Sequence, residues 1–272
     1  MTRVEPLFLR GTAGFLFALH VRTESPGDRG VVLLPPFAEE MNRARRMLRL
    51  QATALAEAGI TALLLDPFGT GDSAGDFADA GWETWVADVR IAADALITRG
   101  CGRVGLLGLR LGATLAAAAP TLASPCFATV FLQPVVRGRS HLTEFLRVRT
   151  MPGALNRDGP MTLEMIRDRL AAGKTVEAAG YDVTPRLAAA LDALELATLA
   201  HPALGRVTWL ELVLDPGLPL SAAGARCADA WMAGGLAVTT GAIPGPAFWI
   251  KPDNAVVPDL IAATVTAFEA AR

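Results

Sequence analysis

Apolar and polar positions repeat along this chain with two different periods. Over residues 4–10 and 14–21 the repeat is short and is broken by Gly11 and Gly14, which predicts a β-hairpin. Val31 to Leu34 is a continuous apolar run closed by Pro35-Pro36, the mark of a strand covered on both faces. Residues 41–58 change to helical spacing. At about 100° per residue, Ala44, Met47, Leu48, Gln51 and Leu55 share one face. Arg45, Arg46 and Arg49 fall on the opposite side, as a solvated face or, more sharply, an anion-binding patch.

The two patterns then take turns. Ile60 to Leu65 is a second buried strand. Trp82, Trp85, Val89, Ala92, Ala93 and Leu96 mark the apolar face of a helix. Val104 to Leu107 is a third strand, a helix opens near Gly112, and Ala128 to Leu132 is a fourth strand. Apolar strands joined by helices over residues 31–132 predict an α/β fold with a mostly parallel central sheet flanked by helices. The rhythm breaks after Val136. Residues 137–205 hold helical stretches near 162–172 and 185–200 and no convincing strand, with Thr184-Pro185 as a helix cap and first-turn proline. They are expected to form a helical cap inserted into a core of residues 1–136 and 206–272. The rhythm resumes with strand 207–214, helix 222–233, strand 236–243 and helix 258–271. The strand at 236–243 is expected at a sheet edge, where a homodimer contact is plausible.

Composition narrows the function classes. Hydrophobic residues make up 52 % and charged residues 19 %, which excludes a disordered chain. A net charge of −2 leaves no basic footprint, so no nucleic-acid partner is expected. Leu111 to Val136 and Ala230 to Ile250 carry no charge and are long enough to span a bilayer. Pro120, Ser124 and Pro125 divide the first, and six glycines and prolines interrupt the second, so each reads as a buried helix joined to a strand. Met1 to Arg10 has three charges and no long apolar core, unlike a signal peptide. Cys101, Cys126 and Cys227 are odd in number and far apart, which suits reduced thiols in the cytoplasm. No Cys/His cluster, P-loop or G-x-G-x-x-G fingerprint is present, so neither metal nor nucleotide cofactor is expected.

One turn carries a sharper signal. Gly108-Leu109-Arg110-Leu111-Gly112 ends a buried strand and opens a helix with the spacing G-x-R-x-G. It resembles the G-x-S-x-G nucleophile elbow of the α/β-hydrolases, with Arg110 in the serine position. Pro35 to Asn42 occupies the place of the oxyanion-hole loop in that superfamily. Asp215-Pro216-Gly217-Leu218-Pro219 resembles its acid-bearing turn, and Ile243 to Trp249 its histidine loop. That loop contains no histidine: His20, His141 and His201 all precede it, whereas the triad order Ser…Asp…His places histidine last.

Five runs sharpen the resemblance: Leu34 to Asn42 (Leu-Pro-Pro-Phe-Ala-Glu-Glu-Met-Asn), Phe68 to Phe77, Gly108 to Gly112, Ala179 to Tyr181 and Gly245 to Trp249. Together they are similar to the exosortase A system-associated hydrolase 2 family over most of the chain. That resemblance implies an α/β-hydrolase fold and a bacterial cytosolic protein. It also implies a nominal ester or acyl hydrolase linked with exopolysaccharide and protein-sorting loci, with the arginine elbow as a family trait.

The residues themselves leave alternatives. Arg110 suits either an internal pair with Glu39 or Glu40 or a fork for an anionic ligand. Glu39 and Glu40 would repel an oxyanion, and serve as partners of Arg110, as helix caps, or as a base or nucleophile. Asp215 is a turn residue or a ligand contact. Ser73 belongs to the chemistry of its Gly-Asp-Ser loop rather than to catalysis. Candidates for catalysis are therefore Arg110, Asp215, Glu39 and Glu40. Candidate ligand contacts are Phe37, Glu39, Glu40, Arg110, Leu111, Phe248 and Trp249, facing a small molecule that is anionic or carries an acyl or sugar group. Two functions stay open: a hydrolase without the Ser-His-Asp mechanism, and a non-catalytic pseudo-hydrolase binding a ligand or a protein partner.

Overall fold

The computed structural model describes residues 1–119, 125–150, 161–250 and 255–271. Eight strands form one sheet: β1 (Arg3–Arg10), β2 (Phe15–Arg22), β3 (Arg29–Leu34), β4 (Thr61–Leu65), β5 (Arg103–Leu109), β6 (Ala128–Leu132), β9 (Arg206–Val213) and β10 (Val238–Pro244). Their order is β1-β2-β4-β3-β5-β6-β9-β10. The β1–β2 hairpin is antiparallel and joins β4 antiparallel, and every later pairing is parallel. The hairpin, the buried strands and the edge position of 236–243 follow the apolar pattern. Of the prolines and serine dividing the first uncharged stretch, Pro120 and Ser124 lie outside the described residues. No helix among the described residues is long and apolar enough to cross a membrane.

Alternation along each strand separates two cores. Val31 and Leu33 face helices α1 (Glu39–Glu57) and α8 (Pro258–Ala270). Val32 and Leu34 face the other side, with α2 (Trp82–Thr98), α3 (Leu111–Ala118) and α7 (Ala222–Ala233). A strand buried on both faces is apolar on both, which is why Val31 to Leu34 of β3 and Ala62 to Leu65 of β4 carry no alternation.

The segment after Val136 is more varied than its sequence suggested. It contains α4 (Gly138–Leu146), α5 (Leu163–Ala171) and α6 (Pro185–Asp192), but also a two-stranded hairpin, β7 (Val176–Ala178) and β8 (Tyr181–Val183). The expectation of no strand is corrected. These strands have three residues each and turn through Ala179-Gly180, both at positive φ, so they are too short to leave a period in the sequence. The helix expected over 185–200 closes at Asp192 and is followed by a separate 3₁₀ turn at Leu196–Leu199. The chain leaves and re-enters the core at one neck. Gly138 N donates to Leu194 O at 2.9 Å, Leu196 N donates to Val136 O at 2.9 Å, and Arg137 bridges to Glu195.

On the arginine face of α1, Arg46 and Arg49 are exposed as expected. Arg45 is half-exposed and also forks onto the buried carboxylate of Asp66, at 2.9 and 3.3 Å. Asp72 N donates to the same carboxylate, and Ser73 Oγ bonds Asp66 O while accepting from Phe17 N. These bonds fix the loop after β4 and give Ser73 a structural task, as its loop chemistry suggested.

Asp88 lies beneath that loop on α2, wholly buried. Its Oδ2 accepts Phe68 N–H at 2.9 Å, while Oδ1 has no partner. Burial pushes its carboxyl from 3.8 up to about 6. An acid whose folded value is raised binds its proton more readily folded than unfolded, so stability falls as pH rises from about 4 through 6. Asp88→Asn is expected to raise the unfolding free energy by up to about 3 kcal/mol at pH 8 and to change little at pH 4, measured by urea titration. Equal effects at both pH values would contradict a buried charge.

Candidate functional site

The site is built on two tight strand-to-helix turns. β5 enters α3 through Arg110, at φ 56 and ψ −120, and β3 enters α1 through Ala38, at φ 50 and ψ −126. Neither is glycine, and a non-glycine residue in that region costs about 1–3 kcal/mol. The turn at Arg110 survives because its flanks are glycines. A Cβ on Gly108 would collide with the backbone of Gly112 and Ala113, and one on Gly112 with the carbonyls of Leu34 and Pro35. Arg110 N donates to Leu132 O at 2.9 Å, and Val135 N donates to Arg110 O at 3.3 Å, which ties the elbow to the end of β6. The side chain at 110 is therefore displayed at the head of α3, as the G-x-R-x-G spacing predicts.

Arg110 Nε donates to Glu40 Oε1 at 3.2 Å. The pair is sheltered, with side-chain exposures of 16 % and 17 %. The Arg110 guanidinium carbon lies 5.4 Å from the centroid of the Trp249 ring. Of the two glutamates, it is Glu40 that meets Arg110. Glu39 takes Arg43 one turn along α1, at 3.2 Å, and accepts from Asn42 Nδ2 at 3.3 Å. Asn42 Nδ2 also donates to the Tyr181 hydroxyl, at 3.0 Å. Burial raises the Glu40 carboxyl above its ordinary value; Arg110 opposes that shift and Glu144 adds to it.

The structure adds a residue that chain order had set aside. His141, on α4, is 7 % exposed and packs edge-to-face on Phe37 with centroids 5.8 Å apart. Burial first, and the charge of Arg110 second, push its imidazole down to about 3, so it is neutral at physiological pH. Its Nε2 is buried with no hydrogen-bond partner, as is Glu40 Oε2. The signal for His141 is present in Ser140-His141-Leu142-Thr143-Glu144-Phe145-Leu146: helical spacing puts His141 beside Phe145, and Leu142 beside Leu146.

These groups line a cleft of about 440 Å³ between α1 and α4, within the size range of small-molecule sites. Phe37, Phe145, Val148, Trp249 and Ile250 form its apolar wall, and Glu39, Glu40, Arg43, His141 and Glu144 its polar one. Behind Phe37 lies a second cavity of about 30 Å³, no larger than a water molecule, between Pro35, Pro36, Leu111 and Gly112.

Three expected site residues stand elsewhere. Phe248 is 1 % exposed and packs into the core against Trp249, so it does not face the cleft. Leu111 is 3 % exposed and walls the water-sized cavity instead. Asp215 is exposed on the turn after β9, where its carbonyl accepts from Leu218 N at 3.3 Å. No third His, Cys, Asp or Glu completes a metal-ligating group anywhere among the described residues. The five sequence runs nevertheless converge. Phe37 meets Phe77 at 5.5 Å, Phe77 meets Tyr181 at 5.0 Å, and Arg110 joins Glu40 to Trp249.

The whole chain superposes on esterases and other α/β-hydrolases. Est1E from Butyrivibrio proteoclasticus, solved with ferulic acid bound, matches with a TM-score of 0.66 at 14 % identity, over 97 % of this chain and 98 % of that one. The α/β hydrolase GrgF from a Penicillium species matches at 0.65 and 16 % identity, over 98 % of each chain. An esterase of Pyrococcus furiosus matches at 0.65 and 10 % identity, over 98 % and 91 %. No protein-family model and no curated protein sequence matches. At these identities the likeness shows the fold, and the fold is that of the α/β-hydrolases.

A buried neutral imidazole has a measurable signature. Its folded value is depressed below the 6.5 of an unfolded histidine, so the stability it confers is full above about pH 6.5. That stability is lost as pH falls toward 3. His141→Leu is expected to flatten this acid limb by about 3 kcal/mol, read from unfolding free energies between pH 7 and 4. An unchanged limb would show that His141 titrates normally.

Proposed function

We propose that this protein is an α/β-hydrolase-fold ligand-binding protein that has given up Ser-His-Asp chemistry. The observation that carries this reading is the Arg110–Glu40 pair. Where a hydrolase displays a nucleophile beside oxyanion donors, this chain displays a guanidinium already bound to a carboxylate. A guanidinium stays protonated and cannot attack an acyl carbon, and a carboxylate in the oxyanion position opposes the charge that acyl transfer develops. His141 approaches from the cap, but with Arg110 at the elbow it has no hydroxyl to activate. Asp215, on its exposed turn, has no imidazole to orient. What remains is a cleft with apolar and polar lining, suited to hold a small molecule with an acyl, aromatic or sugar body.

The family resemblance supports a bacterial, cytoplasmic setting beside exopolysaccharide and exosortase functions, with the ligand drawn from cell-envelope precursors. Three buried free cysteines accord with a reducing compartment. A second reading is hydrolysis by water that Glu40 activates. Its support is the raised carboxyl of Glu40 in the lining of the cleft, since a base poised nearer neutrality serves proton transfer better.

Turnover of nitrophenyl acetate and butyrate separates these readings. The wild type is expected to match the buffer rate, and Arg110→Ala to stay there while losing roughly 1–3 kcal/mol of stability, because Glu40 is left buried and unpaired. Wild-type turnover abolished by Glu40→Gln but not by Asp215→Ala would instead establish the water-activation reading. Binding is checked by thermal shift with small aryl and acyl compounds. Stabilisation of the wild type that vanishes in Val148→Trp, which fills the cleft, is the expected result.

A further inference from the structure

The sheet ends in two edge strands, and they differ. β1 carries Arg3, Glu5 and Arg10, and its Pro6 has no N–H to offer. Charge and proline are what keep an edge from pairing with another chain. β10, at the opposite edge, has no charge, and its one proline, Pro244, is its last residue. Its pairing with β9 runs unbroken from Val238 opposite Val207 to Pro244 opposite Val213, so no bulge turns the edge away. The strand lies at the centre of Ala230 to Ile250, a run that carries no charge and forms no membrane-spanning helix.

The outer side of β10 is open. Among the described residues, no backbone hydrogen bond from outside the sheet reaches Val238 to Ile243. Their outward N–H and C=O groups form the row that a further strand would pair with. The faces of β10 are already covered: Val238 packs with the core of α7 and Ile243 with that of α8, while Thr239 and Thr240 are exposed.

We propose that a second copy of this chain pairs with β10, antiparallel about a two-fold axis at Thr240, joining two eight-stranded sheets into one. A two-fold contact is isologous, so a charge near the axis meets its own like. An uncharged strand escapes that repulsion, whereas a strand of another protein would not require neutrality here. An axis normal to the sheet keeps α7 beside α7 and α8 beside α8. Because side chains alternate faces, such an axis must pass a residue that meets itself. At Thr240 the pairs are Thr240–Thr240, Thr239–Gly241 and Val238–Ala242, all neutral and none of them bulky on both sides. Pro244 then lies past the end of the ladder, opposite Leu236. An axis at Gly241 would set Pro244 opposite Val238, where a missing N–H interrupts the pairing. Pairing β10 with β1 of another copy would meet Pro6 and would grow an open filament.

Sedimentation of the full chain over a wide concentration range tests this, with expected growth from monomer to dimer and no further. Thr240→Lys places like charges opposite each other and is expected to raise the dimer Kd about tenfold at low salt, a penalty that shrinks as salt rises. Thr98→Lys, exposed at the end of α2, is expected to leave the Kd unchanged. Thr240→Cys is expected to cross-link into a dimer under mild oxidation, since opposed residues stand about 4.5–5.5 Å apart, within disulfide reach. Thr98→Cys is expected not to, and the three native thiols are buried. A monomer at every concentration would overturn the proposal, as would species larger than a dimer. So would a dimer that Thr240→Lys leaves intact and Thr240→Cys does not cross-link. Should Thr240→Lys fail to fold, the cross-link alone decides.

Discussion

An arginine at the head of a helix sits at the wrong end of the dipole. The first turn of α3 carries partial positive charge, and Arg110 adds a full one. Glu40 answers both. It stands in the first turn of α1, where an acid is favoured, and its carboxylate reaches across to Arg110 at 3.2 Å. The contact is possible only because Gly112 brings the start of α3 against the carbonyls of Leu34 and Pro35, so that the two helix heads adjoin. Elbow, acidic doublet and glycine spacing are one constraint. None of the three makes sense without the others.

That constraint redirects the fold's usual use. The strained turn still displays a side chain, and α4 packs beside it, but the displayed group is an arginine paired with a glutamate. Around the pair, the chain has placed an imidazole held neutral by burial and a ring face over the guanidinium. These surroundings shelter the pair from solvent, with 16 % and 17 % of the two side chains exposed.

Much of this was legible in the sequence, for identifiable reasons. Strands β3 to β6 carry apolar runs along both faces because both faces are covered, with polar residues only at their starts and at Thr129. The elbow was legible because close backbone approach demands glycine at 108 and 112. The partner of Arg45 was not legible because Asp66 lies just past the end of a strand, beyond the reach of a helical wheel. Phe248 and Trp249 are adjacent and alike, and only the packing of β9, β10 and α8 decides that one faces the core and the other the cleft. His141 was passed over because chain order was used to judge position, and an insertion can deliver a side chain from any order. The β7–β8 hairpin is too short to show a period at all.

The two ends of the segment after Val136 lie side by side. The segment leaves at Val136–Gly138 and returns at Leu194–Leu196, zipped by two backbone hydrogen bonds and the Arg137–Glu195 bridge. Its ends are therefore neighbours, so closing the segment imposes little on the sheet, whatever its length. α4 supplies His141, Glu144 and Phe145 to the cleft, while the heads of α1 and α3 supply the ion pair. Leu142, Leu146, Ile166 and Leu187 pack into the same core as Val32 and Leu34 of the sheet, so a change of volume in either is felt by the other and at the cleft between them.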